Sequence, residues 1–235
     1  MEYYFTDKKN IQSETLLITG DDSKHLLKVL KKGTGEEIFV TDGERNLYRS
    51  IIEDISDDNI NCRIIEKYFN LNESAIKITL YQSLLKNPSR FEFVIEKSVE
   101  LGVFEIIPII TENVIIKERD RCSRWQSIAL SAMKQSQRCY LPKIQHPVNF
   151  IDAIGNAQNT DLKILADERD NPDFLKLPEI NLLSQTISLF IGPEGGFTLD
   201  ELQTASNNGF KILNLGKRKL RSETAALAAL GKILV

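Results

Sequence analysis

From residue 75 onward the chain alternates short apolar, β-branched runs with stretches at helical spacing, and few folds accept that alternation. "IKITLYQSL", "FEIIPII", "DLKILAD", "TISLFIG" and "FKILNLG" read as strands. Strands without polar alternation are buried on both faces, and strands separated by helices run parallel. Asn87-Pro88 opens a helix with proline at its first position. Phe91, Val94, Ile95, Ser98 and Val99 then fall on one helical face, and Gly102 ends the run. "RWQSIALSAMKQSQR" and "SETAALAALGKILV" read as further helices. Thr198-x-x-Glu201 is a capping box that opens "LDELQTASNNG". The expected fold class is α/β, with a parallel, helix-covered sheet in this part.

Ahead of residue 70 the style differs. "EIFVTDGERNLYRSII" reads as two strands around Asp42-Gly43 and "NINCRIIEKYF" as another. One helix, "DDSKHLLKVLKK", starts at an Asp/Ser cap and stops at Gly33. The expectation is a small β-barrel domain over 1–72, a polar linker at "NLNES", and the α/β domain over 73–235.

Several function classes drop out early. The three cysteines, Cys62, Cys122 and Cys139, are odd in number and widely spaced, which argues against a disulfide framework. With only His25 and His146 beside them there is no usual zinc spacing, so no metal is expected. His25 reads as an ordinary helix-face residue. No signal peptide and no membrane span are expected, and a cytoplasmic setting is the default. The net charge of −3 argues against nonspecific binding of nucleic acid by the whole surface. Basic charge is local, in "KERDRCSR" at 117–124 and "KRKLR" at 217–221, so a polyanion would be met there.

In open α/β sheets ligands bind beyond the carboxyl ends of the strands. Three such ends are unusual here: "LADERD" (165–170), "IGPEGGF" (191–197) and "LGKRKLRSETA" (215–225). Gly195 and Gly196 let a ligand approach the backbone, and Pro193 stiffens the entry. A triphosphate would want Lys and Ser/Thr in this loop, whereas Glu194 favours a neutral or cationic ligand. A tight turn before a capped helix would leave the same trace. Lys217, Arg218, Lys219 and Arg221 lie between a strand end and a helix start, suited to anions, although a solvated loop is the simpler alternative.

"IGPEGGFTLDEL" followed by "LGKRKLRSETAALAAL" closely resembles the signature of RsmE-type methyltransferases of the SPOUT superfamily, the 16S rRNA (uracil-1498-N3) methyltransferases. The likeness extends through "FVIEKSVELGVFEIIPI" (93–109), "WQSIALSAMKQSQRCYLPKI" (125–144) and "HLLKVLKKGTGEEIFVTDG" (25–43). It implies a PUA-like RNA-binding domain before a trefoil-knotted SPOUT domain, a bound S-adenosyl-L-methionine (SAM), and a homodimer. It also implies 16S rRNA of the small ribosomal subunit as partner. By the same resemblance SAM is held at Leu165, Ala166, Gly192, Pro193, Glu194, Gly195, Gly196, Leu215, Gly216, Leu220 and Arg221, and its adenosine explains the missing phosphate-binding lysine. The sequence departs from the family's pattern at Ser222 (usually Thr), Lys134 (often Glu) and Lys31 (often Arg), and in the lack of an arginine in "MEYYF".

Uracil N3 is a poor nucleophile until its proton leaves, so the chemistry needs a base, or stabilisation of the anion, and alignment. Arg221 and Arg138 are the candidates for holding the uracil oxygens and Glu223 for taking the proton. A plain salt bridge competes for Arg138, and a helix-start acid competes for Glu223. The rival functions are a non-catalytic RNA-binding assembly factor and a SPOUT enzyme acting on tRNA. Phosphoryl transfer is disfavoured by the absent Lys-Ser/Thr.

Overall fold

Burial that alternates along residues 37–40 and again along 48–52 is what a sheet covered on one face requires. In the computed structural model, which describes residues 2–115, 121–169 and 186–234, that pattern builds a five-stranded sheet. Its strands are β1 (Tyr3–Phe5), β2 (Thr15–Ile18), β3 (Glu37–Thr41), β4 (Asn46–Ser56) and β5 (Asn59–Phe69). They lie in the order β1-β3-β4-β5-β2, antiparallel except for β1 beside β3. Tyr4, Ile18, Leu26, Val40, Ile52 and Ile60 fill its core. The helix starts and stops earlier than "DDSKHLLKVLKK" suggests. α1 (Gly20–Lys24) runs into a π-helical turn at His25–Val29. Thr19 is the N-cap residue without a side-chain cap bond. Lys31, at φ 55, turns the chain into the left-handed region before Gly33 is reached.

The chain divides into two compact units, Met1–Glu73 with Leu130–Leu141, and Ser74–Ala129 with Pro142–Val235. Within the first, Glu73 ties the 130–141 segment down. Its carboxylate accepts from Arg138 Nη2 at 2.6 Å and Nε at 3.1 Å, and from the backbone N–H groups of Cys139 and Tyr140 at 2.9 Å each. Lys134 pairs with Asp22. Thus the position where the family often has a glutamate carries a lysine engaged with an acid of α1.

The second unit follows the strand–helix alternation. Its elements are β6 (Lys77–Ser83), α2 (Pro88–Glu100), β7 (Glu105–Ile110), the part of α3 (Cys122–Gln135) before Leu130, β8 (Lys143–Ile144), β9 (Val148–Asn149), α4 (Phe150–Asn156), β10 (Leu162–Ala166), β11 (Thr186–Ile191), α5 (Leu199–Asn207), β12 (Lys211–Leu213) and α6 (Ser222–Leu234). The strands are parallel, in the order β12-β10-β11-β6-β7-β8, and β9 also pairs with β7. The expected caps form. Asn87 accepts from Ser89 N ahead of Pro88, and Thr198 and Glu201 make the reciprocal capping box. β7 pairs β8 at Glu105 and Ile106 and β9 at Ile109 and Ile110. Pro108, with no N–H to give, lies in the break between the two pairings. Tyr81, Phe190, Phe150, Phe197 and Phe210 pack as one aromatic cluster under the sheet.

Candidate active site

The strand order decides where a ligand sits. Because β10 lies between β11 and β12, the loops leaving all three carboxyl ends meet in space. They enclose a cleft of about 270 Å³, near the lower end of small-molecule sites. Ala166, Asp167 and Glu168 form one wall, Gly192 to Glu194 with Gly196 a second, and Leu215, Gly216 and Arg218 to Ser222 the third. The three loops singled out in the sequence therefore make one site.

Most of the expected cofactor residues line it: Ala166, Gly192, Pro193, Glu194, Gly196, Leu215, Gly216, Leu220 and Arg221. Two do not. Leu165 is fully buried in the aromatic core, facing away from the cleft lining. Gly195 packs instead on Asn113, where a Cβ would come within 3.1 Å of Asn113 Cβ. Gly196 holds φ +69 and has open space where a side chain would be, so this corner needs glycine for its backbone. Pro193 O accepts from Gly196 N at 3.0 Å, which closes the Gly-Pro-Glu-Gly turn.

Charge is distributed unevenly around the cleft. Asp167 takes Arg169 in a two-point pair, Nε to Oδ1 at 2.7 Å and Nη2 to Oδ2 at 2.8 Å, and Arg169 Nη2 also donates to Phe197 O. The Asp167 carboxylate raises the Arg169 pKa through that bond. Glu168 takes Lys219 at 2.8 Å. With the acids of the first wall engaged, Arg218 and Arg221 remain exposed cleft-lining cations without an ion-pair partner among the described residues. Glu194 accepts from Lys86 N at 3.2 Å, tying its loop to the chain after β6. Residues 117–120 of the basic stretch and Asp170 lie outside the described residues, while Arg121 and Arg124 pair with Glu92.

Of the three candidates for the chemistry, the cleft contains Arg221. Glu223 is the next residue but one, in the first turn of α6, largely buried. Its Oε1 lies 3.5 Å from Arg90 Nε, and its Oε2 is buried without a hydrogen-bond partner among the described residues. Arg138 belongs to the first unit, is buried against Glu73, and does not line the cleft. Sequence reading missed Ser222 as a structural joint. Its Oγ donates to Gly192 O at 2.5 Å and accepts from Gln82 Nε2 at 2.9 Å. It also missed Asn113, whose amide donates to Gly195 O and Gly196 O at 3.2 and 3.0 Å. A polar residue ending a buried strand was the only available signal for Gln82.

Residues 72–234 match a family described as an RNA methyltransferase domain, and residues 18–65 match an RNA methyltransferase PUA domain. A ribosomal RNA small subunit methyltransferase E of Mesomycoplasma hyopneumoniae is 35% identical across 100% of this chain and 99% of its own. That of Synechocystis is 32% identical over 96% of this chain and 74% of its own. The crystal structure of the Neisseria gonorrhoeae enzyme of the same name, bound to S-adenosyl methionine, superposes with a TM-score of 0.85 at 33% identity, covering 98% of this chain and 95% of that one. With the fold, the three-loop cleft and these relatives agreeing, the chain belongs to the ribosomal RNA small subunit methyltransferase E family of RNA methyltransferases.

Proposed function

We propose that the protein transfers a methyl group from SAM to N3 of a uracil in 16S rRNA of the small ribosomal subunit. The observation that carries this reading is the single cleft made by the loops after β10, β11 and β12, walled by the two sequence motifs. The residues present fit SAM. Gly196 leaves room beside the backbone, Leu215 and Leu220 offer apolar surface, and no side chain in the loop after β11 is arranged for phosphates. SAM supplies an electrophilic methyl, which the N3 lone pair takes as the carbon–sulfur bond breaks.

The chain's own residues do the rest. Arg221, without an ion-pair partner among the described residues at the cleft wall, holds the uracil oxygen on which negative charge develops as N3 loses its proton. The buried, half-satisfied carboxylate of Glu223 is the proton acceptor, directly or through a water. Arg138, engaged with Glu73, is read as a structural ion pair. Residues 1–72 act as the PUA-like RNA-binding domain and 73–235 as the knotted catalytic domain, in a cytoplasmic homodimer. No helix among the described residues is long and apolar enough to cross a membrane.

The test is methyl transfer from labelled SAM to small subunits lacking the modification, with the product mapped by mass spectrometry. Methyl on N3 of one uridine, lost in Arg221→Ala, supports the reading. Transfer only to tRNA would move the substrate, and failure to bind SAM would leave an RNA-binding assembly factor.

A further inference from the structure

The cleft has walls from three loops, and what fixes the spacing of two of them lies outside all three. Gln82 is the next-to-last residue of β6, fully buried beside β11 in the middle of the sheet. Its amide Nε2 sits 3.1 Å from Ser83 O. A carbonyl can only accept, so the amide's NH2 end must face that way. The same NH2 donates to Ser222 Oγ at 2.9 Å. Ser222 has a single proton, and with Gln82 occupying its acceptor side that proton goes to Gly192 O, 2.5 Å away. Polarity therefore runs one way, from strand β6 to the first turn of α6 and on to the loop after β11. Asn113 grips the far end of that loop at Gly195 O and Gly196 O. The carbonyls of Gly192, Pro193, Gly195, Gly196 and Phe197 are all taken up inside the chain. The N–H groups of Glu194 and Gly195 have no partner among the described residues. With its carbonyls engaged, the cleft-lining part of the loop keeps the Glu194 N–H as a backbone donor for a nucleoside-type ligand.

We propose that Gln82 is a positioning residue for the cofactor cleft. Acting through Ser222, it sets the distance between the 192–196 and 215–222 walls and turns the Gly192 carbonyl away from the ligand. This deepens the SAM reading of the same cleft and rests on it. Gln82 gains nothing evident for the fold from its other end, since its Oε1 is buried without a hydrogen-bond partner among the described residues. Gln82→Leu removes that stranded acceptor together with the donor, which offsets part of the cost of leaving Ser83 O and Ser222 Oγ without it.

The experiment measures SAM affinity by calorimetry, KM for SAM and for rRNA, and thermal stability, on full-length wild type, Gln82→Leu, Ser222→Ala and Ser222→Thr. Gln82→Leu and Ser222→Ala are expected to weaken SAM binding about tenfold, the loss of one buried bond and its geometry. The KM for rRNA and the melting temperature stay near wild type for Gln82→Leu, and Ser222→Thr, which keeps the hydroxyl, binds SAM as wild type does. Unchanged SAM affinity in Gln82→Leu, or equal losses in SAM and rRNA parameters, overturns the proposal. If Gln82→Leu misfolds, the pair Ser222→Ala and Ser222→Thr decides it, equal SAM affinities counting against. Absence of SAM binding by the wild type would instead sink the function proposed above.

Discussion

Arg138 is where a catalytic and a structural reading predict different outcomes. Its guanidinium and the Glu73 carboxylate have side chains 5% and 4% exposed, and the pair makes bonds of 2.6 and 3.1 Å. Arg138→Met keeps much of the volume and removes the charge. Glu73 then stays buried with, among the described residues, the N–H groups of Cys139 and Tyr140, each at 2.9 Å, to oppose its charge. Breaking a buried pair by removing one partner costs about 3–5 kcal/mol, because the remaining charge is uncompensated. For a chain of this size each kcal/mol lowers the melting temperature by about 2–4 °C, giving a fall of about 6–20 °C. The double substitution Glu73→Gln with Arg138→Met removes both charges and leaves an acceptor for the two amides. It should therefore be more stable than Arg138→Met alone, a coupling a double-mutant cycle measures directly. Thermal and urea unfolding of the four proteins provide the test, with methyl transfer run at a temperature where all are folded. A melting temperature within 2 °C of wild type, together with lost transfer, would refute the ion-pair reading and return Arg138 to the chemistry.

Other consequences can be checked separately. Glu223→Gln keeps the shape at the start of α6 but cannot take a proton, so kcat for methyl transfer should fall about a hundredfold or more while the Kd for SAM holds; unchanged kcat would dismiss Glu223 as base. Burial pushes the Cys62 thiol up to about 12 and, with Glu73 adding to it, the Cys139 thiol up to about 11. Both stay protonated and shielded, and brief iodoacetamide treatment of the native protein should label Cys122, the half-exposed one, as read by peptide mass spectrometry. The Arg124 guanidinium hydrogen-bonds Glu92 and holds its carboxyl below the usual range. A depressed folded pKa gives stability that is present above the ordinary carboxylate pKa and lost as pH falls through the folded value. Acid titration of stability should thus flatten only slightly in Glu92→Gln, because the arginine of the pair is exposed and water screens it; an unchanged titration would remove this pair from the acid response.

What the sequence made legible follows the range of each interaction. The capping box joins Thr198 to Glu201, and Asn87 caps the helix that Pro88 begins, all within one turn of chain, so residue order alone specifies them. The burial of β6, β7, β10 and β11 was equally plain, because a strand covered on both faces carries its apolar run wherever its neighbours come from. β8 and β9 escaped notice: each is two residues long, and they flank Pro147, so neither has a periodicity to detect. The cleft divides along the same line. Its three walls were readable as odd loops after buried strands, since glycine and charge mark them locally. The residues that hold the walls were not, because Asn113 and Gly195 are 82 positions apart and Gln82 and Ser222 140 apart. Gly195 gives the sharpest case. The sequence reading assigned its missing side chain to a ligand's approach, whereas the structure fills that space with Asn113. A glycine states only that something comes close, and the identity of that neighbour is written elsewhere in the chain.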